Sequence, residues 1–386
     1  MSVTKDMSAI TAVSREMDPV MVLCWVAILA LGTVMVASAS VAISDTLLIK
    51  HGVYLAAALV GLALVLCVPL DWWQRGHRLA WLAAVVLCVL VLIPGIGLEA
   101  NGARRWIGLG AFSLQAAEVC KFLLLVYMAG YLARFHGDLK DDVQALLRPI
   151  GMLAALCGLL LLQPDFGTAV VLSVTACGML FVAGARLRHF LAIVAVGGAL
   201  LGALAVFQPY RLQRLVSFID PWEFAFGSGY QLTQALIAFG RGEFFGLGLG
   251  EGIQKQFYLP EAHNDFIFAV IGEELGLVGA LAVLGLFAVL VVRILRLGRA
   301  GLDGGNPFAG YLAYGVGLML GVQCLINLGV NTGVLPTKGL TLPFVSYGGN
   351  SLLVSCAMIG LVLRVQLEQQ PARRRRTHRR SGGRRG

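Results

Sequence analysis

Ten apolar runs divide the chain, at residues 20–42, 52–70, 79–94, 114–133, 150–163, 167–184, 190–207, 266–292, 310–331 and 348–365. A helix of about 20 apolar residues crosses a hydrocarbon core of roughly 30 Å, and in lipid only a segment that bonds its own backbone groups can span. The pattern predicts an all-α fold, a polytopic membrane protein with ten transmembrane helices. Composition agrees: 58% of residues are hydrophobic and 13% charged, which excludes a soluble globular domain.

Residues 1–19 carry mixed charges and read as a cytoplasmic leader. The first run contains Ala37-Ser38-Ala39, which mimics a signal-peptidase site, yet its length suits a retained span. Residues 368–386 form an Arg-rich cytoplasmic tail, expected to be disordered and drawn to anionic lipid heads. Eight Arg lie in the last sixteen residues, so the formal charge of +9 is no sign of nucleic-acid binding. Loop Lys and Arg number ten on the leader's side against eight on the other, and the tail decides the orientation with both termini inside.

Residues 20–367 then form one membrane domain, with a long periplasmic loop, 208–265, between helices 7 and 8. Loops longer than about 15 residues in a compact domain are usually functional. This one mixes aromatics and glycines with a short helical stretch at 230–239, and its glycines fit no nucleotide-binding spacing. Eight Cys sit in or beside apolar runs without a CxxC pair and six His are scattered, so no metal site is visible.

The stretch 259–276, LPEAHNDFIFAVIGEELG, runs from a polar turn directly into an apolar helix. Asp265 stands at the junction, where Asn264 or Asp265 could simply cap the helix; the alternative is a carboxylate that acts on a substrate beside Glu261 and His263. Asp165 has the same two readings. If its preceding helix starts near Pro149, that helix is too short to span and Asp165 lies below the outer surface. Glu118 and Lys121 share a helix face and could pair with each other or face an outward cavity. Arg104 and Arg105 flank Trp106 and could snorkel at the interface. With Arg211, Arg214 and Lys338 they place cations on the outer face, which suits an anionic ligand such as a diphosphate.

Five stretches together, NGARRWIGLG, QPDFGT, PYRLQRLVSFIDPWEFAFGSGYQLTQALIAFGRG, LPEAHNDFIFAVIGEELG and PTKGLTLPFVSYGGNSLL, resemble the SEDS family (shape, elongation, division and sporulation) from about residue 18 to 367. The likeness is to its cell-division, FtsW-like branch. The resemblance implies an inner-membrane enzyme at the division septum that polymerises lipid II into glycan strands on the periplasmic side, releasing undecaprenyl diphosphate. It implies Asp265 as catalytic residue, and places Arg104, Arg105, Lys121, Asp165, Lys338 and Ser346 at motif positions facing the cavity. It also implies a class B penicillin-binding protein, the FtsI-like transpeptidase, as partner, with other divisome proteins such as the FtsQ-FtsL-FtsB complex. The chain departs from the family pattern at 115–118 and 222–229.

As chemistry, one inversion joins the sugars, so a single base suffices: Asp265 takes the proton of the acceptor hydroxyl. The leaving diphosphate needs countercharge from Arg104, Arg105, Arg211, Arg214, Lys121 and Lys338. A divalent cation, Mg or Mn, could share that task. Glu261 and His263 are expected to shape the loop or touch substrate. A lipid II flippase and a non-catalytic scaffold are the competing readings; charges crowded toward one side favour chemistry over transport.

Overall fold

The computed structural model describes residues 17–40, 45–100, 102–110, 112–140, 142–206, 209–337 and 339–382. Among the described residues, seven helices are long and apolar enough to cross a membrane: α1 Pro19–Ser40, α2 Asp45–Cys67, α5 Ala116–Arg134, α6 Val143–Leu162, α11 Ile267–Asp303, α12 Pro307–Asn331 and α13 Gly349–Gly382. Three shorter apolar helices, α4 His77–Leu92, α7 Phe166–Val182 and α8 Leu187–Val206, occupy the remaining expected runs. Three more helices, α3 Leu70–Arg75, α9 Pro209–Ile219 and α10 Tyr230–Gly242, lie between them.

Burial separates hub from rim. In α5 83% of the span is buried within the protein, against 11% in α2. The hub is α5 and α12, against which α4, α7 and α11 pack, while α13 lies along α2.

The mostly helical membrane architecture is the one expected, and three local features add to it. Strands β1 Gly97–Ala100, β2 Ala103–Leu109 and β3 Phe112–Gln115 form an antiparallel sheet in the order β1-β2-β3. Gly102 at φ +72° and Gly110 at φ +67° make its turns, where a residue with a Cβ would be strained. Secondly, α6 starts at Val143, capped by the Asp142 carboxylate accepting from the Gln144 amide at 2.7 Å, and not near Pro149. Pro149 leaves the Ala145 carbonyl without its helical donor, and the Tyr131 hydroxyl of α5 donates to that carbonyl at 2.8 Å. With 20 residues, α6 rises about 30 Å, so Asp165 is not sunk by a short helix. Thirdly, α13 continues as helix through residues 368–382. Arg and Gln are good helix formers, and extending a formed helix avoids the cost of nucleation.

The 37-residue α11 is broken at Gly276, at φ +64° and ψ −165°. The break frees backbone groups, and the segment after α10 bonds them. Leu247 and Gly248 donate to the carbonyls of Glu273 and Glu274 at 3.0 and 3.1 Å. Leu277 and Val278 donate to the carbonyls of Glu243 and Phe244 at 2.9 and 3.1 Å. Non-helical backbone at membrane depth is viable only when protein covers it, as here.

Candidate active site

The loops between α10 and α11 and between α12 and α13 meet at the same end of the bundle as the sheet. The Tyr347 amide donates to the His263 carbonyl at 2.8 Å, and the Asn350 carboxamide donates to the Ser113 carbonyl at 2.8 Å. Between them lies a cavity of about 300 Å³ lined by Tyr54, Trp106, Ser113, Gln115, Glu118, Thr168, Asn264, Gly339, Thr341, Tyr347, Asn350 and Ser351. Its lining is mostly hydroxyls and carboxamides with three aromatic rings, which suits a saccharide.

Asp265 is half-buried beside this cavity: its Oδ2 lies 3.3 Å from the point a Cβ on Gly339 would occupy. It does not cap α11. The N-cap position is Phe266, without a side-chain bond, and no donor among the described residues reaches the Asp265 carboxylate. Burial pushes its pKa up to about 7, the nearby Glu261 adds to the rise, and Arg214 opposes it. Of the forces acting on this carboxylate, desolvation wins.

A polar ladder on one face of α12 holds the Asp265 backbone. Asn327 and Asn331 each donate to its carbonyl at 2.9 Å, and Asn327 also donates to the Leu340 carbonyl at 2.6 Å. One turn below, Gln323 donates to the Thr341 carbonyl at 3.0 Å and accepts from Lys121 at 3.1 Å. These residues, four apart, pin both loops to one helix. The turn before Asp265 closes on Glu261, whose φ of +58° returns the amides of Asn264 and Phe266 to its carbonyl at 3.0 and 3.3 Å.

The other expected residues divide. Glu261 is exposed, and its carboxylate accepts from Asn264 at 2.6 Å. His263 is half-buried against Tyr347, its pKa lowered by burial with Glu261 opposing, and its Nδ1 has no partner among the described residues. Arg214 donates to the Thr337 carbonyl at 3.3 Å and is the cation felt by Asp265. Lys121 is fully buried and pairs with Glu118 at 2.7 Å, while Glu118 also lines the cavity. Arg105 clasps the end of α6, donating to the carbonyls of Gln163 and Pro164 at 3.0 and 2.8 Å. Arg104 forms an exposed cross-strand pair with Glu99 at 3.1 Å.

Asp165 caps α7, accepting from the Thr168 amide at 3.0 Å and the Thr168 hydroxyl at 2.9 Å. Ser346 is buried in the turn before α13, accepting from the Leu342 amide at 2.7 Å. Arg211 lies on α9, and Lys338 lies outside the described residues. Among the described residues no three His, Cys, Asp or Glu side chains converge as metal ligands.

A model of the cell cycle protein family (FtsW, RodA and SpoVE) matches residues 18–371. The chain belongs to this family. FtsW-named relatives are similar over nearly the whole length: a "Probable peptidoglycan glycosyltransferase FtsW" of Nitrosococcus halophilus is 52% identical over 89% of this chain and 90% of its own. The relative of that name in Coxiella burnetii is 49% identical over 93% and 99%. Among solved structures, a chain from "Structural coordination of polymerization and crosslinking by a peptidoglycan synthase complex" superposes with TM-score 0.77 at 32% identity, covering 92% of this chain and 98% of that one. Thermus thermophilus RodA superposes with TM-score 0.70 at 31% identity over 92% and 97%. Family membership and the apolar helices together make the chain a multi-pass membrane protein.

Proposed function

We propose that this chain polymerises lipid II with Asp265 as general base. Relatives that share about half of their residues with it over nine tenths of its length are named peptidoglycan glycosyltransferases, and that is the activity of this chain. The observation that carries the residue assignment is the uncapped Asp265 carboxylate, held near neutrality beside a polar cavity. A base with a pKa near the working pH both takes a proton and is available in its charged form. The acceptor hydroxyl loses its proton to Asp265 as its oxygen attacks the anomeric carbon, and the bond to the diphosphate breaks with the electron pair leaving on oxygen.

Arg214, together with Arg211 and Lys338, would offset the charge on the departing undecaprenyl diphosphate. Lys121, Arg104 and Arg105 are already engaged by Glu118, Glu99 and two carbonyls, so their contribution to substrate is secondary. The active end faces the periplasm at the septum, with a class B penicillin-binding protein and the FtsQ-FtsL-FtsB complex as partners; the synthase-complex neighbour supports a transpeptidase partner. Transport is disfavoured because the buried charges at membrane depth, Glu118 with Lys121, Glu273 with Arg241 and Glu274 with Lys255, are paired within the protein.

Asp265→Asn is the test. The purified variant with its transpeptidase should lose lipid II polymerisation by about 10² to 10⁴ while keeping membrane insertion and partner binding. Retained polymerisation refutes the base assignment; movement of labelled lipid II across liposomes without polymer supports the flippase.

A further inference from the structure

A second polar cavity lies at the opposite end of the bundle. Its volume is about 230 Å³, and Asp18, Met21, Arg293, Arg296, Leu297, Ala300, Gln366 and Gln369 line it, from the start of α1 and the far ends of α11 and α13. Beyond the break at Gly276, α11 rises roughly 24 Å from Leu277 to Arg293, so this pocket is separate from the Asp265 site.

Its charges are unequal. Asp18 is engaged twice: Oδ1 accepts from the amides of Val20 and Met21 at 3.0 and 3.3 Å, and Oδ2 accepts from Arg293 at 3.1 Å. Arg296 has no partner among the described residues, which leaves the pocket with one net positive charge. Gln369 is 8% exposed, and neither its carboxamide nitrogen nor its oxygen finds a partner among the described residues. A buried carboxamide without bonds carries its full desolvation cost, and its Nε2 is a donor for an oxygen of an occupant. An anion of single charge with several acceptor oxygens meets the guanidinium and the amide together.

We propose that this pocket binds a phosphate group through Arg296, Arg293 and Gln369. A diester headgroup of an anionic lipid and inorganic phosphate offer the same oxygens, and the pocket sits at the membrane-edge end of three spanning helices where a headgroup can enter.

The test uses the full chain in phosphatidylcholine nanodiscs, titrated with phosphatidylglycerol in one arm and inorganic phosphate in the other, with thermal unfolding as readout. Stabilisation that saturates is expected. Arg296→Gln and Gln369→Leu should each weaken the apparent affinity about tenfold, the scale of one charge-assisted hydrogen bond. Arg299→Gln, whose exposed side chain pairs with Asp303 on the same helix at 3.8 Å, should leave it unchanged. Stabilisation by phosphatidylglycerol alone assigns a lipid headgroup, and stabilisation by both assigns the phosphate group from either source. The proposal is overturned if neither ligand stabilises, or if both variants respond like the native chain. It also falls if Arg299→Gln weakens binding as much as Arg296→Gln, since the attraction would then be general surface charge.

Discussion

Asn331 bridges the start of α11: its Nδ2 donates to the Asp265 carbonyl at 2.9 Å and its Oδ1 accepts from the Ala269 amide at 3.1 Å. One side chain thereby satisfies a carbonyl before the helix and an amide in its first turn, and fixes where the Asp265 carboxylate stands. Asn331→Ala removes one of the two acceptors of the Ala269 amide, which keeps the Phe266 carbonyl at 3.0 Å, and one of the two donors to the Asp265 carbonyl, and so loosens the turn. We expect a stability loss of about 0.5–1.5 kcal/mol and a fall in polymerisation of more than tenfold. Thermal unfolding beside lipid II polymerisation measures the two. Unchanged activity with lowered stability would mean that Asn327 holds the carboxylate alone.

The raised Asp265 pKa sets a stability trend of definite sign. From the ordinary value of 3.8 to about 7 in the folded protein, the folded state binds the proton more tightly than the unfolded one. This group's contribution to stability therefore falls as pH rises from about 4 to 7 and stays low above that. Asp265→Asn removes the titration, so the variant should unfold several degrees higher than the native chain at pH 8 and at a similar temperature at pH 4.5. Equal unfolding temperatures at pH 8 would show the carboxylate to be well solvated.

How much of this was legible in the sequence depends on how local each cause is. The apolar runs are local, so the spanning helices fall close to where the runs lie. The sheet was legible and missed: Asn-Gly at 101–102 is a hairpin signal, and the residues of β2 follow it. The start of α6 was not legible, because Pro149 is tolerated through a hydroxyl from Tyr131 on another helix. The same holds at Asp265. A carboxylate before an apolar run reads as a cap, and only the folded loop shows Phe266 in that place. The α12 ladder could have been found, since Gln323, Asn327 and Asn331 repeat every fourth residue in an otherwise apolar run, the mark of a helix face with buried polar work.

Lys255 and Glu274 are 4% and 0% exposed and pair at 2.5 Å, with Ser38 donating to the same carboxylate at 2.8 Å. Breaking a buried pair from one side strands a charge, which typically costs about 3–5 kcal/mol. Lys255→Met should therefore deplete the folded protein in membranes, and Lys255→Met with Glu274→Gln should recover much of the loss. Thermal unfolding of both variants checks this. A double variant no more stable than the single one would assign the loss to the segment that Lys255 anchors through the Gly250 carbonyl at 2.7 Å.

Two charges tune Asp265 in opposite directions, and this separates a base from a bystander. Glu261 raises the pKa of Asp265 and Arg214 lowers it. A general base works deprotonated, so the polymerisation rate should fall about tenfold per pH unit below the Asp265 pKa. Glu261→Gln removes a like charge and should move that acid limb to lower pH. Arg214→Gln removes the countercharge and should move it to higher pH. Glu261 is exposed, so its effect is screened by salt, and a displacement of under about one pH unit that shrinks at high ionic strength is expected. Loss of diphosphate binding in Arg214→Gln would lower the whole profile without choosing a direction, so the displacement of the limb, and not the height of the plateau, is the diagnostic. Limbs that move the same way in both variants would place the titrating group elsewhere than Asp265.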